Sequence, residues 1–133
     1  MKRLLVLFLA VISAVSASAY GMVAGGGSTP AAALKAEATY LNASKWRPYY
    51  ALMGPKFRAR CPYSTFVQRN AAMRAQIDRA SLKMISTRFQ GTRAYLSYET
   101  IAPPVQPFVT KNDLFVKISG RWFDEYDAVT TCG

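Results

Sequence analysis

Residues able to move protons or hold metals are scarce in this chain. Its 133 residues include seven Asp or Glu, two Cys and no His. Without His, acid–base chemistry near neutral pH falls to a buried carboxyl of raised proton affinity, with a Tyr hydroxyl as hydrogen-bond donor. Glu37 is expected at the start of a first helix and Asp113 in a hairpin turn, with Asp124, Glu125 and Asp127 near an exposed C-terminus. That leaves Glu99 and Asp78 as the acids beside the middle of the sheet region. They are the candidates for a base, although alternation places Glu99 opposite Leu96 and Tyr98 without saying which face is inside.

Cys61 and Cys132 are expected to form a disulfide, because both lie in a segment read as exported to an oxidising compartment. Two thiols without His make a poor zinc set, and a catalytic thiol would lack its base. There is also no Gly-rich phosphate loop and no Ser/His/Asp set, so no metal or cofactor is expected.

Binding is the other chemistry on offer. Tyr40, Trp46, Tyr49, Tyr50, Phe57, Phe66, Tyr98 and Trp122 could line a pocket for an apolar or ring-bearing ligand, with a few polar tips to orient it. The alternative is a packed core without a cavity. Charge is a second lead: the chain is +10, and eleven basic residues but only one acid, Asp78, lie between Lys45 and Arg93. Lys56, Arg58 and Arg60 alternate in one segment expected to be exposed, which makes them a candidate basic patch. Outside the cytoplasm such a surface fits an anionic envelope component better than a nucleic acid.

The elements that must position these residues begin after a leader. Met1-Lys2-Arg3, the apolar run Leu4 to Val15 and Ala17-Ser18-Ala19 have the pattern of a secretory signal cut after Ala19. An uncleaved anchor is the alternative, since no charge interrupts Leu4 to Ala24. Residues 20–33 are nearly all small or polar and are expected to be a flexible tether. Residues 34–133 then form one domain, large enough for a single core.

Leu34, Ala38 and Leu41 lie at helical spacing; Pro48 to Met53 and a segment after Pro62 carrying Phe66, Val67 and Asn70 give two more helical pieces. From Ile77 the period changes to two. A hairpin is expected at Gln90-Gly91 and a second around Asn112-Asp113, with Gly120 leading into Arg121-Trp122-Phe123. Helices followed by a meander give an α+β domain, with N-terminal helices packed on a curved antiparallel sheet.

The order of a helix, Trp46, Leu52-Met53-Gly54-Pro55-Lys56-Phe57-Arg58, Cys61, a helix with Phe66, paired strands and Ser119-Gly120-Arg121-Trp122-Phe123-Asp124 resembles the nuclear transport factor two-like superfamily. Its cone-shaped fold is shared with ketosteroid isomerase and polyketide cyclases, and the resemblance is to its exported bacterial members. It implies a cystatin-like cone and a homodimer joined through the sheet face. Because that fold hosts enzymes, binders and scaffolds alike, function is read from the residues. The expectation is an exported, non-catalytic binding or scaffold domain of the cell envelope, periplasmic or extracellular, with a small apolar ligand in the cone. The alternatives are an isomerase- or cyclase-like enzyme with an acid as base, and a membrane-anchored secretion-system component.

Overall fold

The computed structural model describes residues 25–125 and Cys132. The leader (1–19), residues 20–24 of the expected tether, Tyr126 and Asp127 lie outside the described residues. Four helices, α1 (Pro30–Asn42), α2 (Trp46–Tyr50), α3 (Pro55–Arg60) and α4 (Tyr63–Arg74), precede four strands, β1 (Ser81–Gln90), β2 (Arg93–Ala102), β3 (Val105–Ile118) and β4 (Arg121–Asp124). The strands form one antiparallel sheet in the order β1-β2-β3-β4, and the helices pack on it, as the α+β reading expected.

α1 starts earlier than expected. The Thr29 hydroxyl accepts the Ala32 N–H at 3.0 Å, and Pro30 occupies the first turn, where its missing N–H costs nothing. Just upstream, Gly27 exchanges two backbone hydrogen bonds with Trp122, and Arg121 donates to the carbonyls of Gly25 and Gly26. Residues 25–33 are therefore packed structure rather than tether. Gly25 and Gly27 fit because a side chain at either would overlap the backbone of Ala51 or Ala33. On the same edge, Asp124 N–H donates to Leu52 O and Gly54 N–H to Asp124 O. The outer edge of the short β4 is thus covered at both ends by loop backbone, which protects it from pairing with another chain.

Pro55–Arg60, expected only as an exposed segment, is a further helical piece, with Pro55 at its start. Glu125 caps it: its carboxylate accepts the Lys56 and Phe57 N–H groups at 3.1 and 3.2 Å. Glu125 is buried, not exposed as its place near the C-terminus suggested. Glu125→Ala is expected to cost about 1–3 kcal/mol, because it strands two N–H groups at a buried helix end. Urea unfolding would measure the loss.

β2, one of the two inner strands, alternates as expected, with Ala94, Leu96 and Tyr98 buried against the helices and Tyr95, Ser97 and Glu99 on the opposite face. Ala33 and Leu34 of α1 pack on Ala94, Leu96, Phe115 and Trp122. A second cluster joins Leu52, Met53, Phe57, Cys61 and Phe66, and a third joins Leu41 to Ile77, Ala80 and Ala102. The Cys61–Cys132 disulfide is present, with Cα atoms 5.2 Å apart, and ties the chain end to the second cluster.

The hairpin expected around Asn112-Asp113 does not exist. β3 runs unbroken through it, and its register against β2 shifts between Leu96↔Asp113 and Tyr98↔Thr110. Asn112 has φ +54°, and its N–H donates to Ser97 Oγ at 3.1 Å. This is a β-bulge built on the tolerance of Asn for the left-handed region. A bulge reverses the parity of the strand, so Thr110 and Asp113 face the helices although they are three residues apart.

Candidate functional site

The bulge positions the site. Between the helices and the sheet lies a half-open cavity of about 300 Å³. Leu34, Glu37 and Leu41 of α1, Tyr49 of α2, Phe66 and Asn70 of α4, and Tyr98, Thr100 and Ala102 of β2 contribute to its wall. Met73, Val105 and Phe108 line it yet stay exposed, and so mark its mouth. The lining is mainly apolar, and among the described residues no Lys or Arg takes part in it.

Three acids from three elements converge at its buried end. Glu37 lies on the α1 face between Leu34 and Leu41, Asp113 follows the β3 bulge, and Asp124 sits on β4 beside Phe115 in register. All three are buried. The Tyr98 hydroxyl donates to Asp113 Oδ2 at 2.7 Å, while Asp113 Oδ1 has no hydrogen-bond partner. Burial pushes Glu37 up to about 8; a hydrogen bond with Asp124 opposes this and the charge of Asp113 adds to it. Burial likewise pushes Asp113 up to about 9, helped by the charge of Asp124 and by a hydrogen bond with it, and opposed by the Tyr98 hydrogen bond. Burial and the neighbouring acids hold the hydroxyls of Tyr98 and Tyr49 well above the ordinary Tyr range. At neutral pH, Glu37 and Asp113 are therefore protonated and can donate as well as accept hydrogen bonds.

The candidate bases lie elsewhere. Glu99 sits on the sheet face away from the helices, paired in register with Lys83 of β1. Asp78 is exposed in the α4–β1 connection, where its N–H donates to Pro103 O at 2.8 Å. Neither lines the cavity. The acids assigned to a helix start, a turn and the C-terminus supply the cluster instead.

Of the expected pocket aromatics, Tyr49, Phe57, Phe66 and Tyr98 line the cavity. The others do structural work. Tyr40 packs on the Cys61 cluster and Trp46 on the Leu41 cluster. Tyr50 donates to Cys61 O at 2.7 Å and meets Tyr63 and Phe66 edge-on or tilted, and Trp122 belongs to the core under α1. Lys56, Arg58 and Arg60 are exposed and lie on a helix, so Lys56 and Arg60 share a face and Arg58 points away. Among the described residues, no group of three or more His, Cys, Asp or Glu is arranged to hold a metal ion, and no helix is long and apolar enough to cross a membrane.

No family model matches this chain, and no curated protein does. Among solved structures it is similar to the solution structure of a SEC-C motif containing protein from Rhodopseudomonas palustris. That likeness has a TM-score of 0.60 at 14% identity and covers 80% of this chain and 84% of the other. At that identity the two share a fold, helices on an antiparallel sheet, and the likeness carries no function with it.

Proposed function

We propose that this is an exported binding domain of the nuclear transport factor two-like type that holds a small, largely apolar molecule between its helices and sheet. The observation that carries this reading is the cavity: its volume reaches the lower end of the ligand-site range, roughly 300–1,000 Å³, its walls are apolar, and polar groups converge at one end. Export is supported by the leader pattern, and the Cys61–Cys132 disulfide is compatible with it. Val109, exposed on the sheet face away from the helices, supports pairing of two copies through that face. Exposed Lys56 and Arg60 offer a contact for an anionic envelope component.

Native mass spectrometry of the protein taken from its own envelope tests the reading. The expected species starts at Tyr20, is two hydrogens lighter than the reduced chain, and carries a small molecule. Ala38→Trp, which places an indole on the α1 wall, is expected to abolish that adduct. A full-length chain with no adduct in any preparation would contradict both export and binding.

A second reading has an observation of its own. A protonated carboxyl beside a Tyr hydroxyl in an apolar cavity can stabilise a developing enolate oxygen. An isomerase-like activity would use Asp113 and Tyr98 in that role, with another carboxyl of the same cluster, in its ionised form, moving the proton, not Glu99 or Asp78. Its test is the conversion of an unconjugated cyclohexenone to its conjugated isomer, followed by ultraviolet absorbance. Catalysis requires a rate that Asp113→Asn lowers by about a hundredfold or more; a rate equal to buffer alone dismisses it.

A further inference from the structure

We propose that the molecule held in the cavity is an organic monocation, a lipophilic ammonium whose charged end sits among Glu37, Asp113 and Asp124 and whose apolar body lies against Tyr49, Phe66 and Leu41. This deepens the binding reading above and rests on it.

The sorting of charge is the first ground. The chain has 17 basic residues and seven acids. Three of those few acids meet at one cavity end, and among the described residues no Lys or Arg lines it. Among the described residues, every titratable group that faces the cluster is an acid or a phenol: Glu37 from α1, Tyr49 from α2, Tyr98 from β2, Asp113 from β3 and Asp124 from β4. An anionic end group, a carboxylate or a phosphate, would find no cation there among the described residues. A cation would meet carboxyls and aromatic faces, the two surroundings that favour ammonium groups.

The second ground is independent of the first. Asp113 is 2% exposed, lines the cavity, and leaves Oδ1 without a partner while Oδ2 is held by Tyr98. A buried carboxyl oxygen without a partner is costly and calls for a donor. A primary ammonium supplies three N–H donors, enough to serve Asp113 Oδ1 and the other two carboxyls together.

Charge balances simply. Where the cluster is protonated, R-NH3+ binds as a carboxyl loses its proton to solvent, leaving a carboxylate–ammonium pair. Burial holds Glu37 near 8 and Asp113 near 9, so raising the pH from 6 to 8 lowers the cost of releasing the competing proton and strengthens amine binding.

The test compares three probes with one skeleton, 4-phenylbutylamine, 4-phenylbutanol and 4-phenylbutanoate, by calorimetry on the full mature chain at pH 8. The amine is expected to bind at least about tenfold more tightly than the alcohol, and the carboxylate more weakly than either. Asp113→Asn is expected to bring the amine-to-alcohol ratio to within about threefold of one. Glu37→Gln provides the same comparison if the first variant does not fold, as judged by near-ultraviolet circular dichroism. Alcohol or carboxylate binding as tight as the amine overturns the ammonium assignment and leaves the cavity reading intact. An amine preference that survives both substitutions also overturns it, by placing the cation elsewhere. If no probe binds, the cavity reading fails with it.

Discussion

Raising the pH from 5 to 9 is expected to destabilise this protein by several kcal/mol. The cause is the buried acid cluster. In the unfolded chain Glu37 and Asp113 ionise near their ordinary values, 4.5 and 3.8; in the folded chain they keep their protons to about 8 and about 9. Between these limits the folded state binds more protons than the unfolded state, so stability falls as pH rises. The stabilising contribution is complete below about pH 4 and is lost by about pH 9. Each group contributes a slope of up to about 1.4 kcal/mol per pH unit. Glu37→Gln with Asp113→Asn replaces both acids with neutral groups of similar shape and is expected to flatten the profile. Urea unfolding at pH 5, 7 and 9 measures it; a wild-type profile that is flat or rises toward pH 9 would mean that the cluster is already ionised in the folded state.

Replacing both Cys61 and Cys132 by Ser is expected to cost about 4 kcal/mol. The disulfide closes a loop with a sequence separation of 71, and constraining a loop of that length in the unfolded chain accounts for about 4 kcal/mol in the chain-entropy model. Cys61 also belongs to the cluster with Leu52, Met53, Phe57 and Phe66, which forms part of the cavity wall. The loss is therefore expected to appear as a lower unfolding midpoint together with weaker probe binding. For a domain of this size that is a large share of total stability. An unfolding midpoint unchanged on reduction would contradict it.

The features read correctly from the sequence were those that depend on local pattern. The β1–β2 hairpin at Gly91, the alternation of Ala94, Leu96 and Tyr98, and the change from helices to strands are all periodic signals spread over many residues. Of the aromatic residues that could line a pocket, Tyr49, Phe66 and Tyr98 do border the cavity, whereas Tyr40, Trp46, Tyr50 and Trp122, which the same pattern offers, pack elsewhere. The acid cluster was missed for a different reason at each member. Glu37 follows Leu34 by three residues and precedes Leu41 by four, so the helical period itself places it on the buried face, a signal that its place near the expected helix start obscures. Asp124 is two residues from Trp122 and shares its face by parity, which the nearby chain end obscured.

Asp113 is the harder case. Asn-Asp between two apolar runs is also the usual signature of a turn, and only the pairing of β2 with both halves of β3 distinguishes a bulge from a hairpin. The tether was misread in the same way. The small residues of Gly25 to Gly27 have the composition of a flexible linker, but here they allow backbone to approach backbone along β4, a contact fixed by partners about a hundred residues away.

The most direct test is a methyl-resolved NMR titration of the mature protein with 4-phenylbutanol, a neutral probe of the cavity itself. Binding in the cavity predicts saturable shifts at Leu34, Leu41, Met53, Ile77 and Val105, which line it. No shifts at these groups, or shifts confined to Ile85 and Val109, which are exposed and do not line it, would contradict a ligand-binding role for the space between helices and sheet.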